Sequence, residues 1–208
     1  MSTADMDFAG ILAVLLGGSW ASGIRLYATI AGLGIMHRMH LLTLPADSSV
    51  FANPLVIIVA TLLAVVEFIT DKIPYVDSIW DSIHTFIRPI GGAALGYLAT
   101  AGVGPVVQLP VAILCGGAAL EAHVAKATAR VAINTSPEPV SNIATSTGED
   151  ALVLAILYFV ARHPIIATII VLILIAFTIL LIWMLFKFVK KIFNFFFQKK
   201  DLSAEGKK

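Results

Sequence analysis

Charge is scarce in this chain. Asp, Glu, Lys and Arg make up only 13% of its 208 residues, about half the ~25% usual in a soluble domain. With 59% hydrophobic residues and a mean hydropathy of +0.94, a water-soluble fold of this size could not hide its apolar surface, so lipid is the expected solvent. Cysteine is nearly absent. The single Cys115 sits inside an apolar run, which excludes a disulfide framework and suits a small core residue. A net charge of +1 gives nucleic acid nothing to bind. The residues before the first apolar run include Asp5 and Asp7 but no Lys or Arg. A secretory signal opens on cations, so the first run is expected to stay as a span. No Walker loop, Cys-x-x-Cys pair or Ser-His-Asp order is present, and nothing marks a nucleotide site. The multi-aspartate signatures of prenyl transferases and CDP-alcohol phosphotransferases are missing too.

What is present is hydrophobic sequence in long pieces. The expected fold is all-α, a polytopic membrane helix bundle of about six transmembrane helices in one domain over residues 1–197, followed by a disordered cytoplasmic tail at 198–208. The first span covers about Phe8 to Met36, interrupted by Gly17, Gly18, Gly23 and Arg25. The second covers about Pro54 to Thr70. Val76 to Ile87 is amphipathic and too short and polar to span, which predicts an interfacial or re-entrant helix. From Ile90 to Leu120 no residue is charged, and Gly102-Val103-Gly104-Pro105 is the natural turn within that run. It divides a third span, Ile90 to Ala101, from a fourth that starts near Val106 and continues through His123, Lys126 and Arg130 to Asn134. Pro137 and Pro139 then stop the helix. Ser146-Thr147-Gly148-Glu149 has the form of a capping box and announces the fifth helix, which ends near Arg162-His163-Pro164. The sixth begins at Pro164 and carries no charge from Ile165 to Phe186.

Seven of the fourteen Lys and Arg residues lie from Lys187 onward. By the positive-inside rule this predicts a cytoplasmic C-terminus and, with six spans, a cytoplasmic N-terminus. Leu15-Leu16-Gly17-Gly18 has a partial echo in Leu114-Cys115-Gly116-Gly117. That echo raises a 3+3 inverted repeat with halves 8–103 and 106–186, as in many transporters.

An ionisable residue at bilayer depth costs at least ~2.5–3.5 kcal/mol and normally faces a partner or a wet cavity. Arg25 is the sharpest case: it reads as an anion contact or a partner for Glu67, and equally as a structural ion pair. Gly17, Gly18 and Gly23 around it suit either a broken helix or close helix packing. Glu67 and Asp71 are spaced i, i+4. Asp77, Asp81 and His84 share one helical face and offer a trial ligand set for a divalent cation or a proton relay; a solvated surface explains the two aspartates as well. His123, Lys126 and Arg130 form a further stripe. Asn134, Ser136 and Glu138 lie in a proline-stiffened polar loop that reads as a substrate loop or a plain connector, and Glu149 and Asp150 flank the next helix.

Taken in combination, several segments resemble one family of small bacterial membrane proteins, catalogued as domain of unknown function 4126. They are Ser22-Gly23-Ile24-Arg25-Leu26-Tyr27, Glu67-Phe68 with Asp71-Lys72-Ile73-Pro74, the run from Asp77 to Pro89, the run from Asn134 to Asn142, and Gly148-Glu149-Asp150. The resemblance covers about residues 8 to 180. It implies membrane location and brings no activity with it.

The expectation for function is a small transporter for an ion or small solute, coupled to cations or protons. In it Arg25, Glu67, Asp71, Lys126, Asn134, Ser136 and Glu138 bind the cargo or the coupling ion. Lipid flippase and channel are variants of the same idea. The competing readings are a membrane-embedded enzyme on a lipid head group, with a metal at Asp77, Asp81 and His84, and a non-catalytic assembly factor. The cofactor is unassigned, a divalent cation being one option. The expected partners are the bilayer, a small solute or ion, and a second copy of the chain.

Overall fold

The computed structural model describes residues 8–73, 75–134 and 139–205. These residues form helices and turns, with no strand among them. Helix α1 (Phe8–Ala13) passes into a π-helical turn (Val14–Gly18) and then α2 (Ser19–Ile24). Arg25 breaks the helix, and α3 runs from Leu26 to Arg38. A 3-10 turn (Ala46–Ala52) leads to α4 (Pro54–Thr70). The bundle closes with α5 (Val76–Ala99), α6 (Pro105–Asn134), α7 (Pro139–Arg162) and α8 (Pro164–Glu205).

Among the described residues, three helical stretches are long and apolar enough to cross a membrane: Pro105–Val131, Val140–Arg162 and Pro164–Met184. The 3-10 turn and α4, bent by 64°, add a fourth if they count as one span. Length and composition therefore support three or four spans, against the six read from the sequence. Phe8–Ile24 is apolar but shorter.

The bundle is inside-out relative to a soluble protein. On α5, Phe86 is 74% exposed while Arg88 is 0% exposed. The buried stripe of that helix is Asp77, Asp81, His84 and Arg88, continued by Gly92, Leu95, Gly96 and Ala99. Ile79, Ile83 and Ile90 look outward. Water would penalise such a surface and hydrocarbon would not.

Three sequence expectations need correction. The segment from Val76 to Ile87 is not a separate interfacial helix but the first half of α5, which runs through Pro89 without stopping. Its polar face is buried against neighbouring helices, so the face that suggested water contact holds the bundle together. Ser146-Thr147-Gly148-Glu149 is not a helix start, because α7 begins at Pro139, a favoured first helical position. The Ser, Thr and Asn residues expected in a loop there are helical. Helix α8 continues to Glu205.

Other boundaries match their local chemistry. Gly102 and Gly104 adopt φ of 86° and 104° at the α5–α6 turn, where a side chain would be strained. Small residues bring α5 and α6 together: a Cβ on Gly92 would stand 2.6 Å from the Ala119 Cβ, and one on Gly96 2.8 Å from the Cys115 Sγ. This close approach sets α5's charged stripe beside the one on α6.

Candidate functional site

The site is built at the break after α2. Arg25 leaves helical geometry altogether, at φ −139° and ψ 83°. Its side chain is buried and donates to Asp71, and to the Ser146 hydroxyl and carbonyl at 2.9 and 3.1 Å. Its Nε lies 2.9 Å from Asp150, and its Nη2 3.4 Å from Glu149. Arg25 thus ties the α2–α3 break to the end of α4 and to α7.

Asp71, just past α4, is the hub. Lys126 stands 2.5 Å from its carboxylate, and Arg25 binds the same Oδ2. Lys126 also lies 3.3 Å from Asp81 and 3.6 Å from Glu149. Its ammonium donates at 3.4 Å to the Ile24 carbonyl beside the break. That contact serves a backbone acceptor next to the interrupted helix, as burial demands. Burial opposes the charge on Asp71, but Lys126 and Arg25 outweigh it and hold the carboxyl below its ordinary value.

Arg130, one turn along from Lys126, grips both oxygens of Glu149 at 3.1 and 2.9 Å. It also donates to the Asp71 backbone carbonyl at 3.0 Å and to Asn142, and it lies 3.5 Å from Asp77. Lys72 stands 3.2 Å from both Asp150 and the Ser146 hydroxyl.

A second lobe centres on Arg88, which lies 2.9 Å from both Glu67 and Asp81. It donates at 2.7 Å to Nδ1 of His123, so the Nε2 of that ring carries the proton and donates to Thr85 at 2.9 Å. His84 uses the opposite tautomer: its Nδ1 donates to the Trp80 carbonyl at 2.8 Å, and its Nε2 accepts from the Tyr27 hydroxyl at 3.1 Å.

Together Arg25, Lys72, Arg88, Lys126 and Arg130 face Glu67, Asp71, Asp77, Asp81, Glu149 and Asp150, so the cluster carries one more carboxylate than cation. One oxygen each of Glu67 and Asp71 and both of Asp81 are buried without a hydrogen-bond donor, and the Nε of Arg88 is buried without an acceptor. A low-dielectric interior makes such oxygens costly unless a proton or cation joins them. A groove of about 320 Å³ reaches the cluster from the side. Arg25, Glu67 and Asp150 line it together with Thr61, Ala64 and Leu154, between α3, α4 and α7. Leu154 and Phe68, at its rim, belong to the apolar outer surface.

Of the residues singled out in the sequence, Arg25, Glu67, Asp71, Lys126, Glu149 and Asp150 come together here. Asn134 closes α6. Ser136 and Glu138 lie outside the described residues. Gly17 and Gly18 end the π-helical turn, with Val160 and Leu95 packed where a Cβ would go. Gly23 presses on the Ala119 carbonyl.

The three residues of the trial metal set face other partners. Asp77 turns to Arg130, Asp81 to Arg88 and Lys126, and His84 to Trp80 and Tyr27. No group of three or more His, Cys, Asp or Glu suited to a metal ion occurs among the described residues. Sequence reasoning left Arg88, Arg130, Asn142 and Ser146 out of the site. The signal was spacing: Arg88 extends the Asp77–Asp81–His84 face by four positions, and Asn142, Ser146 and Glu149 repeat the pattern on α7.

Comparison with known families gives one finding. The family model described as Domain of unknown function (DUF4126) matches residues 12–184, and the chain belongs to that family. No curated protein matches the chain, and no solved structure does.

Proposed function

We propose that this family member is a small membrane transporter for an ion or small solute, coupled to a proton or monovalent cation. The observation that carries the reading is the surplus carboxylate in a buried cluster built on a broken helix. A finished structural ion-pair network would balance its charges and satisfy its oxygens. This one leaves a negative charge and four bare acceptor atoms, on Glu67, Asp71 and Asp81, for something to occupy. Broken helices with exposed backbone groups are where many transporters hold their ions. Arg25 and Lys126 orient the acids, Asp71 links them, and Glu67 lies where the side groove meets the cluster.

The cluster occupies the C-terminal ends of α4 and α6 and the N-terminal halves of α5 and α7. Asp150 lies ten residues past Val140, about 15 Å along α7 at helical rise. Under the positive-inside orientation, with the basic C-terminal end of α8 in the cytoplasm of a bacterial inner membrane, the cluster opens from the cytoplasmic half of the bilayer. The halves 8–103 and 106–186 would be the moving units of an inverted repeat. The reading survives without the repeat, because Gly116-Gly117 lies inside unbroken α6 while Gly17-Gly18 ends a π-helical turn.

The test is reconstitution into vesicles holding a pH-sensitive dye, with imposed pH, Na⁺ or K⁺ gradients. Wild-type protein should dissipate one of them, and Arg25→Ala or Glu67→Gln should abolish that flux. Equal flux from all three proteins would remove this site from transport. A lipid flippase is the second reading, favoured by the lateral opening of the groove toward the apolar surface. Fluorescent phospholipid crossing without ion flux would select it.

A further inference from the structure

A carboxyl group outside the cluster also lies at bilayer depth. Glu121 sits on α6 sixteen residues past Pro105 and ten before Val131, the ends of its span. At helical rise these are about 24 and 15 Å, so any placement of this span across a ~30 Å hydrocarbon core leaves Glu121 inside it. Its Oε2 accepts the Trp20 indole N–H at 3.2 Å. Its Oε1 is buried without a hydrogen-bond partner. Glu121 takes part in none of the ion pairs among the described residues.

The surrounding elements explain why. Residues 8–24, which form α1, the π-helical turn and α2, contain no charged residue and no histidine, and neither do residues 164–186 of α8. On α5, Asp77, Asp81, His84 and Arg88 are engaged in the cluster. On α7, Glu149 and Asp150 are held by Arg130, Arg25 and Lys72. His123 and Lys126, the nearest titratable groups on α6 itself, turn to Arg88 and Asp71. No cation among the described residues pairs with Glu121.

An uncompensated carboxylate in hydrocarbon is expensive, and the neutral acid is the cheaper form. A proton on Oε1 removes the charge and turns the bare acceptor into a hydroxyl, while Oε2 remains the carbonyl that Trp20 binds. We infer that Glu121 is a proton-binding site in the bilayer interior, occupied at neutral pH, with Trp20 as the residue that orients it. The adjoining π-helical turn at Val14–Gly18 places Trp20 there. Such turns are frequent at functional sites. The inference rests on this geometry alone and stands whether or not the chain transports anything.

Infrared spectroscopy of the full chain in liposomes tests it. At pH 7 the wild type should show a protonated-carboxyl C=O band that Glu121→Gln lacks, and the band should disappear on strong alkalinisation. Gln keeps the size of the side chain and an acceptor for Trp20, and circular dichroism reports whether the helices persist. Trp20→Phe leaves the carboxyl in place, so its acid band should remain and shift to higher frequency as the hydrogen bond is lost. If wild type and Trp20→Phe carry only carboxylate bands at pH 7, or if the acid band survives in Glu121→Gln, the assignment is overturned.

Discussion

Arg88 donates to Glu67 at 2.9 Å, and neither side chain is more than 1% exposed. The pair joins α5 to α4 where α5 carries its charges inward and its isoleucines outward. Removing one partner of a buried pair strands the other, at a cost of about 3–5 kcal/mol. Arg88→Met should therefore lower stability by about that amount, because it strands Glu67 and leaves Asp81 with Lys126 at 3.3 Å. Adding Glu67→Gln should recover part of the loss. Unfolding of the reconstituted protein by added SDS, followed by circular dichroism, measures both. Strictly additive losses would mean that the two residues are not coupled.

Asp71 makes stability depend on acid. Lys126 and Arg25 hold its carboxyl below the ordinary 3.8 despite burial, so below that value the unfolded chain binds more protons than the native one. The stabilisation is fully present above about pH 4 and is lost as pH falls through the lowered native value. Wild-type protein should lose stability along an acid limb below pH 4. Asp71→Asn should start less stable at pH 7 and show a shallower limb. Parallel limbs would show that Asp71 is not the group responsible.

The sequence displayed the ingredients of the cluster but not its closure. Arg25, Glu67, Asp71 and Lys126 stand out because a charge among apolar residues is conspicuous, and spacing alone put Asp77, Asp81 and His84 on one face. Which way that face pointed was not legible: in water an amphipathic helix turns its charges out, and in lipid it turns them in. Reading α5 as interfacial followed the aqueous rule. The start of α7 was hidden for a related reason. Its first turns are rich in Ser, Thr and Asn, residues that favour loops locally, and only the partners Arg25 and Arg130 on other elements give Ser146 and Asn142 a place in a helix. The turn at Gly102–Gly104 and the start of α8 at Pro164 were readable because backbone chemistry sets them without tertiary help.

The approach of α2 to α6 is limited by Gly23. A Cβ there would lie 2.2 Å from the Ala119 carbonyl oxygen, a backbone atom that cannot rotate aside. Gly23→Ala should cost at least the ~1–3 kcal/mol typical of overpacking and displace the break at Arg25. Gly117→Ala, on the exposed face of α6 with nothing within 4 Å, is the control. It should be neutral or stabilising by up to about 1 kcal/mol, the helix-propensity difference. If both substitutions behave alike in SDS unfolding, the close α2–α6 contact is absent.

Ser146 separates two accounts of α7. As the start of a helix it would cap the backbone, and Asp would replace it well because Asp and Ser are equivalent caps. In the structure it lies inside α7, accepts from Arg25 at 2.9 Å and from Lys72 at 3.2 Å, and is 0% exposed. Ser146→Ala should then cost about 1.5–3 kcal/mol, the range for hydrogen bonds to charged groups. Ser146→Asp should cost more at pH 7, because it adds a carboxylate to a cluster that already holds one in excess, and its deficit relative to Ala should narrow on acidification. Full tolerance of Asp at neutral pH, with Ala the worse substitution, would restore the capping role and detach Ser146 from the cluster.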